Sequence, residues 1–193
     1  MDAPGPIAGQ ENVFLNVPFD AGYEKLFVAL IACTVAARLI PRCAIELPER
    51  GQGQLARIME LLQNCQLSIH ELSRPERFNM PFELGLAAAL QLRDRHELIV
   101  LESRRHRLAR RLSDFRIDPL IHGNGPLKMI AVLLDNLGGA DPADVEAIYR
   151  DLIRVLPTLK RRLRAADVFR KAVFDQLVSG ATELARDKGI FGR

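Results

Sequence analysis

The chain has 193 residues, of which 48% are hydrophobic and 26% charged, and its formal net charge is only +3. This length and composition indicate a globular protein with a buried core, and so small a net charge argues against nucleic acid as the main partner. The three cysteines form no CxxC pair, so we expect buried, reduced thiols rather than disulfides or zinc ligands.

Residues 1–11 contain two prolines and two glycines, which predict a flexible tail. This segment lacks the basic and apolar regions of a signal peptide. No apolar run in the chain approaches the roughly 20 residues of a membrane span. We therefore expect a cytoplasmic protein without a membrane partner.

Short apolar runs alternate with longer segments of helical periodicity between residues 12 and 138. The short runs predict strands at 12–18, 40–47, 66–72, 96–102 and 116–122. The longer segments predict helices at 21–39, around 55–62, and at 80–93, 103–115 and 126–137. Strands joined through helices form parallel sheets with helices on both faces. We predict a doubly wound, flavodoxin-like α/β domain over residues 12–138, with a parallel sheet of about five strands.

Residues 139–193 show no strand pattern and predict a C-terminal helical extension. Asp141 and Pro142 are typical of an N-cap and a first helical residue. We expect Pro157 to bend or break this helix, and a last helix to run from about 165 to 185. Both helices carry apolar faces that must pack on the sheet domain, on each other or on a second subunit.

Polar side chains follow the predicted strands, and ligands of open parallel sheets bind at the carboxyl ends of the strands. The candidate site residues, in chain order, are Asn16, Phe19, Glu46, Glu71, Ser73, Asn79 and Glu83. The chain has neither GxGxxG nor GxxxxGK[ST], which argues against a standard dinucleotide fold or a P-loop ATPase. It has no GxSxG and no His/Cys cluster with metal spacing, so we expect no metal and no cofactor.

The stretch RFNMPFELGLAAAL, residues 77–90, places one carboxylate, Glu83, among apolar neighbours. If Pro81 is the first helical residue, Glu83 lies in the first turn, where an acidic side chain stabilises a helix without any chemistry. The alternative is a catalytic role. Glu46 and Glu71 also fit solvated charges at strand ends.

Other candidates have plain structural interpretations. Asn16 and Phe19 fit the turn after the first strand. Arg42 is expected to pair with a strand-end acid, and His70 to be a hydrogen-bonded core histidine. The basic helix 103–115 is better explained as a solvated face than as a phosphate or nucleic-acid site.

Three segments carry a resemblance to known proteins. They are VFLNVPFD with the following YEKLF, then PRCAIE, and then LSIHELSR leading into RFNMPFELGLA. Over residues 12–102 the chain resembles bacterial nucleoside 2-deoxyribosyltransferases and, more distantly, TIR domains. The glutamate of those families that matches Glu83 attacks the anomeric carbon of a nucleoside or cleaves the nicotinamide–ribose bond of NAD. The chain departs from the transferases in having Met80-Pro81 before Phe-Glu, and Glu71 where Asp is more usual.

The resemblance implies an N-glycosidase or glycosyltransferase-like enzyme that acts on NAD, a nucleotide or a nucleoside, with NAD as substrate rather than cofactor. It implies that Glu83 is the nucleophile, that Glu71 and Ser73 bind sugar hydroxyls, and that Asn16 and Phe19 border the base. Because such transferases complete their sites across subunits, it also implies a homodimer through the C-terminal helices. The alternative is a catalytically silent nucleotide-sensing or protein-interaction module on the same fold.

Overall fold

The computed structural model describes residues 11–47, 53–74, 79–93, 96–105 and 117–192. The strands are β1 (Asn12–Asn16), β2 (Ile40–Cys43), β3 (Leu67–Glu71), β4 (Glu97–Glu102) and β5 (Leu120–Ile121). The helices are α1 (Glu24–Ala36), α2 (Gln54–Gln63), α3 (Asn79–Gln91), α4 (Pro126–Leu137), α5 (Pro142–Arg162) and α6 (Lys171–Asp187). Short 3-10 turns occupy Ala21–Tyr23, Ala44–Glu46 and Ile190–Gly192. Within the described ranges, no helix is long and apolar enough to cross a membrane.

The five strands form one parallel sheet in the order β2-β1-β3-β4-β5, and the fold is a doubly wound α/β fold with a C-terminal helical extension. This strand order is the flavodoxin-like one, as the alternation of strands and helices predicted. The register sets Asn16 beside His70 and Glu71 beside Leu101. The carboxyl ends of β1, β3 and β4 therefore meet at one edge of the sheet.

Several elements are shorter than predicted. The second strand ends at Cys43, where a 3-10 turn follows, and the fifth keeps only Leu120 and Ile121. The first helix begins with a 3-10 turn and is α-helical only from Glu24. Most of the predicted basic helix lies outside the described residues, although Arg104 and Arg105 are described and exposed.

Backbone proximity divides the chain into two compact units. The described residues of the sheet unit are 11–18 and 42–124, and those of the helical unit are 19–41 and 125–192, each within the described ranges. This division does not coincide with the predicted boundary at residue 138, because α1 and α4 group with α5 and α6.

The core of the sheet unit forms where α2 and α3 pack beside β1. One buried cluster there contains Phe14, Leu62, Cys65 and Ala87. All five residues of β3, the middle strand, are buried. The strand is thus covered on both faces, although Ser68, His70 and Glu71 are polar.

The helical unit is built around α1, whose residues from Leu26 to Ala36 are all buried. A helix that is apolar on every side must be surrounded, and α1 packs against α4, α5 and α6. Phe27 lies between Phe169 and Phe174, with ring centroids 5.3 and 5.8 Å away. The apolar faces of α5 and α6 are therefore covered within the chain, and the homodimer stays a prediction that these faces do not require.

Two expectations for the C-terminal helices were wrong, namely a break at Pro157 and a start of the last helix near residue 165, while a bend at Pro157 stays a prediction. Pro157 does not break its helix, because α5 continues to Arg162 with Leu156 and Leu159 buried on either side of an exposed proline. The last helix begins at Lys171 rather than near 165. Before it, Asp167 accepts a hydrogen bond from the backbone N–H of Phe169 at 2.9 Å, and such local bonds compete with helix formation.

Candidate active site

The switch point of the sheet lies between β1 and β3, since the chain crosses from β1 to β2 on one side and returns to β3 on the other. Crevices at such points are the usual ligand sites of open α/β sheets. Asn16 ends β1 and His70 lies beside it in β3. The helix α3, which carries Glu83, follows β3 in the chain.

Asn16 joins the end of β1 to α3. Its side chain is buried, with 4% of the residue exposed. The amide nitrogen Nδ2 lies 2.9 Å from His70 Nδ1 and donates to the Met80 carbonyl oxygen at 3.2 Å. Because Met80 is in the first turn of α3, Asn16 anchors the helix three residues before Glu83.

Glu83 lies in the second turn of its helix, so its predicted placement in the first turn was wrong. The helix begins at Asn79, which makes Pro81 the third helical residue and Glu83 the fifth. A proline at the third position is tolerated because its missing N–H would have no partner within the helix. The stabilisation of an anion by a helix N-terminus falls off within the first turn. Stabilisation of the helix N-terminus therefore does not explain why a glutamate occupies position 83.

The environment of Glu83 favours its neutral form. The residue is 6% exposed, and burial raises the pKa of its carboxyl to about 7, against a hydrogen bond from the Asn79 side chain that lowers it. A carboxyl group that is half ionised near neutral pH is suited to proton transfer or nucleophilic attack. The structure thus brings two predicted site residues, Asn79 and Glu83, together around one titrating group.

The pKa of Glu83 predicts that replacing this residue stabilises the fold above neutral pH. Because the folded-state pKa is raised from 4.5 to about 7, burial favours folding below pH 4.5 and loses this contribution as the pH rises through 7. Glu83→Gln removes the charge and should gain about 3 kcal/mol over wild type at pH 8, with little difference at pH 4.5. Urea unfolding at both pH values measures the gain. Glu60→Gln, which changes an exposed carboxylate, is the control. An equal gain in the free energy of unfolding for both variants would contradict a raised pKa at Glu83.

Glu46 lies in the 3-10 turn after β2 and is partly exposed. Its carboxylate accepts hydrogen bonds from Arg42 Nε at 3.0 Å and from the Cys43 backbone N–H at 2.8 Å, which confirms the predicted ion pair of Arg42. Burial and, to a smaller extent, the charges of Glu46 and Glu83 raise the pKa of the Cys43 thiol to about 12. Both carboxylates therefore lie near the same inert thiol. All three cysteines are buried and reduced, as predicted.

Glu71 is fully buried, so its interpretation as a solvated strand-end charge was wrong. Its Oε1 accepts from the Ser73 backbone N–H at 2.7 Å, and its Oε2 lies 2.9 Å from His122 Nε2. Ser73 Oγ accepts from the Ser103 backbone N–H at 2.6 Å. These bonds join the ends of β3, β4 and β5, and the geometry favours a structural role for Glu71 and Ser73.

The cluster around His122 is not a catalytic triad. Glu71 and Ser73 both approach the same ring nitrogen, Nε2, at 2.9 and 3.3 Å, whereas a triad needs its carboxylate and hydroxyl on opposite nitrogens. The other nitrogen, Nδ1, accepts from the Asn124 backbone N–H at 3.2 Å. The sequence analysis did not select His122. The signal that could have found it is its position directly after β5, because residues at the carboxyl ends of strands are the candidates for a site.

Two further outcomes concern Phe19 and His70. Phe19 belongs to the helical unit, where it is 39% exposed and its ring stacks on Phe169 at a centroid distance of 5.4 Å. Its role beside a base stays a prediction. His70 is a fully buried, hydrogen-bonded core histidine, as predicted.

In the described part of the chain, no group of three His, Cys, Asp or Glu residues is arranged to hold a metal ion.

Comparisons of the chain with protein-family models, with curated proteins and with solved structures gave no match.

Proposed function

We propose that the protein is an N-glycosidase or glycosyltransferase-like enzyme that cleaves the base–ribose bond of NAD, a nucleotide or a nucleoside, with Glu83 as the nucleophile. The observation that carries the proposal is the Glu83 carboxyl itself. It is buried on α3, whose first turn is hydrogen-bonded to Asn16 at the switch point of the sheet; Asn79 donates a hydrogen bond to it, and its pKa is about 7. Such a carboxyl costs stability at neutral pH, and strain of this kind concentrates at functional sites.

The proposed reaction runs in two steps with retention of configuration. The ionised Glu83 carboxylate attacks the anomeric carbon, the C–N bond breaks, and its electron pair leaves with the base. Water, or a free base, then attacks the same carbon, the ester C–O bond to Glu83 breaks, and the attacking water or base loses its proton to solvent as the Glu83 carboxylate is released. Burial strips water from the carboxylate, and the Asn79 hydrogen bond aims it.

The charge balance of the site favours a substrate with a cationic leaving group. A positive charge within a few ångströms of a carboxylate lowers its pKa. The pyridinium ring of NAD brings such a charge to the bond that breaks, so its binding would ionise Glu83 when attack is required. Glu46, whose carboxylate is partly exposed, is then the candidate for binding a sugar hydroxyl in place of Glu71.

The test is incubation with NAD and a panel of nucleosides and nucleotides between pH 5.5 and 8.5, with free base measured by chromatography. Because the anion attacks, we expect kcat/KM to rise with pH and to level off above an apparent pKa of about 7. A rate that falls through pH 7 would assign Glu83 to general-acid catalysis instead. Binding of a nucleotide without base release would favour the silent sensing module.

A further inference from the structure

A continuous chain of buried hydrogen bonds runs from the backbone carbonyl of Cys65, just before β3, to the first turn of α3. His96 Nδ1 lies 2.9 Å from the Cys65 carbonyl oxygen, and His96 Nε2 lies 2.8 Å from Ser68 Oγ. Ser68 Oγ also lies 2.8 Å from His70 Nε2. Asn16 Nδ2 bridges His70 Nδ1 and the Met80 carbonyl. All four side chains are at least nine-tenths buried.

Both ends of this chain are carbonyl oxygens, which only accept hydrogen bonds, so its direction is determined. The Cys65 carbonyl requires the proton of His96 on Nδ1, and His96 Nε2 then accepts from the Ser68 hydroxyl. Ser68 Oγ in turn accepts from His70 Nε2–H, which leaves His70 Nδ1 to accept from Asn16. The Met80 carbonyl independently requires the same orientation of the Asn16 amide.

Charge does not disturb this arrangement, because both histidines favour their neutral forms. Burial and, to a smaller extent, the neighbouring His96 lower the pKa of His70 to about 3. Burial also lowers the pKa of His96. Each ring therefore has one donor and one acceptor nitrogen at neutral pH.

The two protons of Asn16 Nδ2 are both used within the protein, one toward His70 and one toward Met80. Among the described residues, none donates a hydrogen bond to Asn16 Oδ1. An amide flip would set Oδ1 against the Met80 carbonyl and against the acceptor nitrogen of His70. Any ligand that reaches Asn16 can therefore bind it only as a donor.

We propose that the Ser68–His70–His96 chain locks Asn16 in one orientation, in which Nδ2 positions the first turn of α3 and Oδ1 selects ligands that present an N–H or O–H donor. The selection rests on the proposed function, while the locked orientation does not. The expected ligand class carries an amino or carboxamide group on its base, as nicotinamide, adenine and cytosine do. Bases that present only an oxo or carboxylate oxygen at the same position meet an acceptor and are excluded.

The first test measures the ring tautomers in the full-length protein by two-bond ¹H–¹⁵N correlation at pH 7, with the four histidines assigned by single substitutions. We expect a neutral His70 with its proton on Nε2 and a neutral His96 with its proton on Nδ1. The opposite tautomer or a charged ring at either residue would overturn the proposal. This readout requires no substrate and is independent of any activity.

The second test uses Ser68→Ala, with the buried Ser103→Ala as the matched control outside the chain. In Ser68→Ala we expect His70 to lose its single tautomer and kcat for base release to fall about tenfold or more, with a smaller change in KM. Ser103→Ala should leave both unchanged. Equal losses of kcat in the two variants would show that the hydrogen-bond chain has only a structural role, which would contradict the proposal.

The third test concerns the ligand. Calorimetry should detect binding of nicotinamide and adenosine at least tenfold tighter than that of nicotinate and inosine. Equal affinities within each pair would contradict selection by Asn16, even if base release is observed. If no base is released from any substrate, the binding preference and the tautomers still decide this proposal.

Discussion

Glu83→Gln is expected to abolish base release, with turnover falling by at least roughly 10³-fold, because an amide cannot form the glycosyl ester that a carboxylate forms. The substitution preserves the shape of the side chain and removes only its charge. The folded protein should remain, and above pH 7 it should be more stable than wild type because the buried charge is absent. A substitution that lowers activity and raises stability identifies a group that serves function and destabilises the folded state.

The control for this prediction is Glu60→Gln, which changes an exposed carboxylate on α2. It should retain full turnover. Chromatographic assay of free base at pH 8, where Glu83 is mostly ionised, gives the cleanest comparison. Wild-type turnover in Glu83→Gln would remove this residue from the mechanism, and a lost fold would be visible by circular dichroism.

Ending the chain at Gly139 is expected to unfold the helical unit. The truncation removes α5 and α6 and leaves α1, which is buried from Leu26 to Ala36, without two of the helices that pack against it. Among the buried side chains lost are Val145, Ile148, Leu152, Leu156, Val173, Phe174 and Leu177. At about 1.5–3 kcal/mol each, their burial is comparable with the entire stability of a typical domain.

A chain ending at Gly189 is the matched control for this truncation. It loses the buried Ile190, whose carbonyl accepts a hydrogen bond from Arg38 at 2.9 Å, but retains both helices. Circular dichroism should show the full helical signal with a cooperative thermal transition for this control, and for the shorter chain a loss of helical signal larger than the removed residues account for. A chain ending at Gly139 that melts like the full-length protein would show that α5 and α6 are dispensable.

The sheet was predictable because short apolar segments, such as residues 13–15 and 98–101, alternate with longer helical segments. β3 was also predicted, but the burial of its polar residues Ser68, His70 and Glu71 was not. The hydrogen bond between Asn79 and Glu83 was not predicted, because the predicted helix began at residue 80 and left Asn79 outside it, whereas α3 begins at Asn79 and sets the two side chains one helical turn apart. The start of α3 was harder, since Pro81 is acceptable at more than one position of a first turn.

Contacts between distant residues could not be predicted from local patterns. Glu71 becomes a buried group because His122, 51 residues later, reaches its carboxylate. The chain from His96 to Asn16 likewise depends on side chains that only the sheet brings together. For α5 and α6 the apolar faces were predicted to pack on the domain 12–138, on each other or on a second subunit, and the structure confirms the first two, with α1 and α4 as the covering helices.

The nucleophilic role of Glu83 is tested most directly by trapping the glycosyl-enzyme. Analogues of NAD and of nucleosides with fluorine at the 2′ position destabilise the oxocarbenium-like transition state and slow hydrolysis of the intermediate. After incubation at pH 8, intact-mass measurement and peptide mapping should find the fluorinated glycosyl group on Glu83, and Glu83→Gln should remain unmodified. Release of base without any adduct, or an adduct on another residue, would contradict the account.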